Sequence, residues 1–564
     1  MRASACSRRP SPGWPDRVGA ADTVLVGGSL FVDGASRPGA VALAAGRIVL
    51  VGSDDEVRET VGVHTDVVDV RGGLVLPAFQ DAHAHPLAAG VDMLRCDLTD
   101  ARSAEDTVAR IATYAGARPD LPWVLGSGWS MAHFPGGTPT REALDAVVGD
   151  RPALLSNRDG HGAWANSQAL QLAGLTAESP DPPDGRIERD PTGAPSGTLH
   201  EGAVALVERL APLPTAAEQL AGLLAAQQVM FSVGITAWQD AAVGALFGQP
   251  DSLPVYLRAH ASGELRARVV AAQWWHRDRG AEQVAELVDR RDAAAAQGFA
   301  AGTVKVMQDG VVENFTAGLL GPYLDGCGAE TGNRGLSFVD PAALAGHVTE
   351  LDRLGFQVHF HALGDRAVRE CLDAVAAARS ANGRAGGRHH VAHLQVVDPA
   401  DLARFAELGA AATIQPLWAA HEPQMDELTI PFLGDRRSDL QYPFADLAAA
   451  GAHLAGGSDW PVSSPDPVQG VHVAVNRVLP RASGADAEPL SPRNRLDLGT
   501  ALTAYTAGSA WVNGLDDRTG RLAAGLLADL AVLDRDPFAH PPEEIGTARV
   551  MTTYLAGETV FRAS

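Results

Sequence analysis

Between residues 340 and 416 the chain twice repeats one order of apolar and polar positions. Asp340-Pro341 is followed by Leu344, Val348, Leu351 and Leu354, spaced three and four apart so that they share one helical face. The aspartate is a good N-cap and the proline fits a first helical turn. Gly355 closes this helix, and the apolar run QVHFHALG follows. Asp398-Pro399 then opens a second helix carrying Leu402, Phe405 and Leu408, Gly409 ends it, and AATIQP follows. Helix, glycine stop and buried strand is the repeating unit of a parallel α/β fold. The runs LVLPAFQDAH, ALLSNRDGH, ITAWQD, TVKVMQD, HHVAHLQ and AHLAGGSDW are further strand candidates, with alanine-rich helical stretches between several of them. About eight such units in a row predict an α/β fold of the (β/α)8 TIM-like barrel kind rather than an open sheet.

The chain ends follow another pattern. Residues 22–76 hold short β-like runs separated by glycine turns, and residues 519–562 do the same. We expect them to form one small composite β domain around a barrel of residues 77–518. The stretch around 120–210, with PDPPDGRIERDPTGAPSG inside it, reads as an irregular insertion over one barrel face. Residues 1–21 read as a disordered N-terminal extension or an over-long start: Ser7-Arg8-Arg9 is followed by Pro-Ser-Pro, not by the apolar run of a leader.

Composition narrows the function classes. A net charge of −23 argues against nucleic-acid and anionic-membrane partners, which need basic surfaces. Cys6, Cys96, Cys327 and Cys371 are scattered, with no disulfide framework, as expected of a cytoplasmic protein. No stretch is long and apolar enough to span a membrane. Among 45 basic residues Lys305 is the only lysine. Arginine keeps charge and ion pairing, but it does not act as a neutral amine. A lysine kept where all others are arginine points to amine chemistry, either a Schiff base or CO2 uptake to give a carbamate, unless it is a surviving ion-pair lysine.

Metal-ligand residue types close five of the strand candidates. His83 and His85 in Asp81-Ala-His-Ala-His are two apart, so in a strand both face the same way. Lys305 lies in TVKVMQDG, His361 closes QVHFH, His393 lies in HHVAHLQ, and Asp459 follows AHLAGGS. In a barrel the C-terminal strand ends form the active-site face. Imidazole and carboxylate suit Zn2+. Two such ions side by side need an anionic bridge, which a carbamate on Lys305 supplies through a long arm.

These motifs resemble the amidohydrolase superfamily, specifically the amidohydrolase family 3 group with its N-substituted formamide deformylases. The resemblance runs from LPAFQDAHAHP (76–86) through GSGW, SNRDGHGAWANSQAL, GITAWQD, VKVMQDGVVENFTAGLLGPY and HFHALGDRAV to AHLQVVDPADLARFAELGAAATIQP, GGSDWPVSSPDP and LLADLAVLDRDP, and covers about residues 22–562. It implies two Zn2+ per chain: His83 and His85 on the more buried ion, carbamylated Lys305 as the bridge, His361 and His393 on the second ion, and Asp459 as ligand and general base. It also implies amide hydrolysis by a metal-activated water, with Asp459 acting first as base and then as acid. His161 in Asp-Gly-His is the candidate for polarising the carbonyl. Trp129, Asp309, Glu313 and Trp418, and also Glu201, are candidate pocket-lining residues. His359 shares a face with His361 and is expected one layer deeper, as a residue that supports the ligands or packs beneath them rather than as a ligand. The family often carries Glu before the sixth-strand histidine; here it is Ala392, with His389 or His390 as candidate substitutes. A small-molecule amide is the expected partner and a homodimer the expected assembly. The rival readings are a mononuclear deaminase or cyclic-amide hydrolase, a Schiff-base lyase that would leave the histidines unexplained, and a non-enzymatic scaffold barrel.

Overall fold

The structure is a computed structural model and describes residues 20–246, 249–383, 387–480 and 488–564. Most of the proposed disordered extension therefore lies outside the described residues. Ala21, at its edge, is buried and donates its N–H to Thr60 O.

Eight parallel strands form the central sheet, in chain order: β1 Phe79–Ala84, β2 Ile235–Val243, β3 Arg268–Trp274, β4 Ala300–Met307, β5 Gln357–Ala362, β6 His390–His393, β7 Ala411–Ile414 and β8 His453–Gly456. Each pairs with the next, and β1 pairs with β2. At the C-terminal end, Asp459 N donates to His83 O (2.7 Å) and His85 N to Trp460 O (2.8 Å), which brings β8 back to β1 and closes the top of the (β/α)8 barrel. The helix over Pro341–Arg353 starts where its sequence says. The Asp340 side chain accepts from the Ala342 and Ala343 N–H groups, and Leu344, Val348 and Leu351 are buried against the sheet. Gly409 ends the second helix in the left-handed conformation (φ 66°), which glycine adopts without steric cost.

Two strand expectations need correction. LVLPAFQDAH is not one strand. Leu74–Pro77 belongs to the terminal sheet and Phe79–Ala84 to the barrel, and the chain crosses at Ala78, whose N–H goes to Asp529 O while that of Phe79 goes to Gly234 O. ALLSNRDGH is not a barrel strand either. Ala153–Asn157 lies in a separate six-stranded sheet between β1 and β2, and Arg268–Trp274 takes the barrel place instead. The inserted segment is regular rather than irregular. It begins near Cys96, because Cys96–Asp97 pairs in parallel with Val124–Trp129, and two apolar clusters cover the sheet, one centred on Trp129 and Trp164, the other on Leu154 and Leu199.

Both chain ends share one eight-stranded sheet. Leu530–Leu533 pairs antiparallel with Leu74–Pro77, and Leu25, Val41, Ile48, Val75, Leu530 and Val532 pack together. Among the described residues no helix is long and apolar enough to cross a membrane.

Candidate metal centre

The C-terminal ends of β1, β5, β6 and β8 converge. His83 Nε2 and His85 Nε2 lie 3.1 and 3.0 Å from the same Asp459 oxygen, Oδ1. Oδ1 nevertheless has no hydrogen-bond partner, so both contacts bring lone-pair atoms together without a well-placed proton between them. His393 Nδ1 is 3.9 Å from Asp459 Oδ2. Ligand atoms of His83, His393 and Asp459 all lie within 4.8 Å of one another.

The backbone is strained at this point. His393 (φ 80°) and Asp459 (φ 57°) both occupy the left-handed region, at about 1–2 kcal/mol each for a residue with a Cβ. Hydrogen bonds hold both in place. His393 N donates to Gln415 Oε1 (2.8 Å), and Asp459 N to His83 O. Asp81 braces the same turn: Oδ1 accepts from His83 N at 2.9 Å and from Ser458 N at 3.1 Å. Gly457 is required there, since a Cβ would meet His83 Cβ at 2.9 Å and Gln415 Nε2 at 3.1 Å.

Lys305 projects from β4, 2% exposed, and its Nζ has no hydrogen-bond partner. Burial pulls its pKa down to about 7, against the opposing pull of Asp459. Burial pushes the Asp459 carboxyl up, but the adjoining His85 imidazole and the charges of His393 and Lys305 outweigh it and hold the group below the usual carboxylate range. His83, His361 and His393 are driven well below the ordinary imidazole value, chiefly by burial, which keeps them neutral and able to ligate.

His161 reaches the centre from the inserted segment, its ring 5.4 Å from that of His361. Its Nδ1 lies 3.0 Å from Glu201 Oε2, and Glu201 also accepts from Thr316 Oγ1 (2.8 Å). Burial alone lowers the His161 pKa, but the Glu201 charge and hydrogen bond more than reverse this and raise it to about 9. Burial raises Glu201, but His161 and Thr316 prevail and bring it to about 2.

The four pocket candidates fall in different places. Trp418 stacks on the His393 ring (5.1 Å, 10°) and forms a wall of the centre. Glu313 accepts from Thr429 Oγ1 (3.1 Å) and Gln424 Nε2 (3.4 Å), next to the Arg158–Glu422 pair (2.9 Å). Asp309 is buried and faces inward: it accepts from the N–H groups of Gly318, Leu363 and Gly364, and lies 3.4 Å from His361 Nδ1. Its contacts brace His361. Trp129 is fully buried in the inserted sheet, where its N–H donates to Leu155 O. Neither His389 nor His390 takes the place of a Glu at position 392. His389 is bound to Asp352 and Val358 N, His390 to Thr413 and Gln239, and both His393 ring nitrogens lack hydrogen-bond partners. Gln415 and Asp81, as supports of His393 and of the Asp459 turn, were missed. Their only sequence signal is a place at a strand end.

A model of the amidohydrolase family matches residues 66–561. The chain belongs to the amidohydrolase family. As an amidohydrolase it is a hydrolase that acts on carbon–nitrogen bonds other than peptide bonds. This amidohydrolase is 28% identical over 534 residues to the N-substituted formamide deformylase of Arthrobacter pascens, covering 92% of this chain and 94% of that one. It is 29% identical over 553 residues to the protein LONG AFTER FAR-RED 3 of Arabidopsis thaliana, covering 96% of this chain and 92% of the other. Its fold is similar to that of an uncharacterized metal-dependent hydrolase from Pyrococcus horikoshii OT3, with TM-score 0.68, 24% identity, and coverage of 92% of this chain and 99% of that chain.

Proposed function

We propose that this amidohydrolase cleaves the C–N bond of an N-substituted formamide or a related small amide, using two Zn2+ held by His83, His85, His361, His393, Asp459 and a carbamate on Lys305. The observation that carries the reading is a set of buried ligand atoms with no hydrogen-bond partner at one point: Lys305 Nζ, both His393 ring nitrogens and Asp459 Oδ1. Each unpaired buried polar atom costs about 1–3 kcal/mol. Neutral imidazoles around an ionised carboxylate are a donor set that fits Zn2+ and leaves these atoms satisfied. The low Lys305 pKa supports the carbamate, because the neutral amine is the form that takes up CO2 with release of a proton.

A divalent cation bound here lowers the pKa of a coordinated water and polarises a carbonyl. The protein's own groups do the rest. Asp459 takes the proton of the attacking water. His161, its Nδ1–H directed at Glu201, presents Nε2 as a second donor for the oxygen of the tetrahedral adduct. Asp459 then returns its proton to the amide nitrogen, so the amine leaves neutral and formic acid remains, which releases its proton to solvent as formate. Trp418 gives the N-substituent an apolar wall beside His393.

The tight group of His83, His393 and Asp459 also fits a single ion, which keeps a mononuclear deaminase or cyclic-amide hydrolase as the second reading. A panel of N-formyl amines, N-acyl amino acids, cyclic amides and aminoheterocycles, run on zinc-reconstituted enzyme with metal analysis, separates them. Formate and amine from formanilide or benzylformamide, with two zinc per chain, is the expected outcome. Ammonia release without amide cleavage removes the formamide reading, and full activity at one metal per chain removes the binuclear one.

A further inference from the structure

The lower half of a (β/α)8 barrel is usually filled with branched apolar side chains. In this barrel a hydrogen-bonded polar column leads from its floor to His83. Gln357 Nε2 donates to two backbone carbonyls, Arg388 O (2.7 Å) and Val512 O (2.9 Å). A carbonyl only accepts, so these two bonds fix which end of the Gln357 amide is nitrogen. Gln357 Oε1 then faces Gln239 Nε2 (3.0 Å) and accepts from it, which fixes the Gln239 amide in turn. Gln239 Oε1 lies 2.7 Å from His359 Nδ1, so that nitrogen carries a proton. His359 is fully buried, and its hydrogen-bond partners are His83 and Gln239, with no carboxylate among them. It is therefore neutral and holds a single N–H. Its Nε2 is an acceptor, and His83 Nδ1, 2.8 Å away, is the donor. The proton of His83 is thus placed on Nδ1 and its lone pair on Nε2, the atom that faces Asp459.

We propose that Gln239 and Gln357 are positioning residues that set the tautomer and ring orientation of the metal ligand His83 through His359. In this arrangement backbone carbonyls three side chains removed from His83 decide which of its nitrogens is free for a cation. Ligating histidines generally need a partner on their second nitrogen, and losing it weakens metal binding by about 10–100-fold. A carboxylate or a carbonyl is the usual partner; here it is another imidazole, which alone could point either way and so depends on Gln239.

The inference rests on His83 as a zinc ligand, and its test keeps the two apart. Zn2+ affinity is measured by chelator competition on folded His83→Ala, Gln239→Met, His359→Leu and His359→Gln. Gln239→Met and His359→Leu are expected to bind Zn2+ about tenfold more weakly or worse. His359→Gln, whose amide oxygen can still accept from His83, is expected to recover most of that loss. Gln239→Met binding within twofold of the unaltered enzyme, or His359→Gln as weak as His359→Leu, overturns the relay alone. Unchanged zinc stoichiometry in His83→Ala overturns the ligand assignment and the relay with it. If the variants do not fold, the unaltered zinc-loaded enzyme labelled with 15N-histidine decides: the relay requires a protonated His83 Nδ1, and an unprotonated Nδ1 resonance refutes it.

Discussion

Two sets of histidines share the same barrel strands, yet the structure treats them in opposite ways. In the lower set every ring nitrogen is spent: His359 on His83 and Gln239, His390 on Gln239 and Thr413, His389 on Asp352 and the Val358 N–H. In the upper set nitrogens are left over. Both of those of His393 lack hydrogen bonds, as does His361 Nδ1, and His83 and His85 turn Nε2 to an Asp459 oxygen without hydrogen-bond geometry. Burial does not separate the sets, since His359, His390, His83 and His393 are all at most 1% exposed. What separates them is whether the buried nitrogen already has a partner. Within the barrel, the deep imidazoles have both nitrogens paired, and the orphaned nitrogens gather at the C-terminal strand ends, where the proposed ligands lie.

Lys305 sits between the two sets, and changing it tests the contrast most severely. It pairs in register with His359 on β5, yet its Nζ is orphaned like the nitrogens above. Lys305→Arg keeps the positive charge and removes the amine. If Lys305 belongs with the ligands, this variant keeps its far-ultraviolet circular dichroism, binds less than two zinc per chain and loses activity by on the order of a hundredfold or more, the loss expected when a metal site is dismantled. Near-normal turnover in Lys305→Arg would return the lysine to the scaffold.

The sequence made one half of this contrast legible. Ligand residue types at strand ends, in chain order, single out His83, His85, Lys305, His361, His393 and Asp459 as candidates, and barrel topology brings ligand atoms of His83, His393 and Asp459 within 4.8 Å of one another. The barrel itself follows from caps and glycine stops such as Asp340 and Gly409. The lower half was legible only in the depth of His359, not in its partners. Gln239 sits in ITAWQD like any strand glutamine, and only the rolling of the sheet into a barrel, with β2 across the interior from β5 and β6, brings it to two histidines at once. The surroundings of Trp129 and Asp309 were hidden for a related reason. An aromatic or acidic residue in a motif-like block gives no sign of its neighbours: Trp129 is buried in the inserted sheet, and Asp309 lies beside His361. ALLSN was assigned to the wrong sheet because an apolar run of five carries no label for the sheet it joins.

A smaller effect concerns His161, which belongs to neither set because its partner is a carboxylate. Its raised pKa, about 9, follows from Glu201 outweighing burial. The donor form therefore exists below about pH 9 and is lost as pH rises through that value. If His161 donates to the developing oxyanion, kcat/KM has an alkaline limb there. Glu201→Gln removes the charge that raises the pKa, so the limb moves to lower pH, and activity at pH 8 falls by about tenfold or more, within the range for one proton donor. A pH–rate profile of the variant that overlies that of the unaltered enzyme would separate His161 from the chemistry.

The smallest effect on function, and the cleanest on stability, is expected at His389. Its Nε2 contacts Asp352 Oδ1 at 2.9 Å and its Nδ1 accepts the Val358 N–H at 3.0 Å, so it ties the start of β5 to the helix over Pro341–Arg353. His389→Ala leaves the Val358 N–H without that acceptor. Asp352 loses one partner but keeps Arg379 (2.9 Å) and Asn382 (3.0 Å), so its charge stays compensated. One orphaned backbone donor plus a small cavity costs about 2–3 kcal/mol. A lower urea midpoint with zinc content and turnover per folded chain unchanged is the outcome expected of a paired histidine. Loss of zinc from folded His389→Ala would mean that pairing does not mark the scaffold after all, and that the two histidine sets act as one.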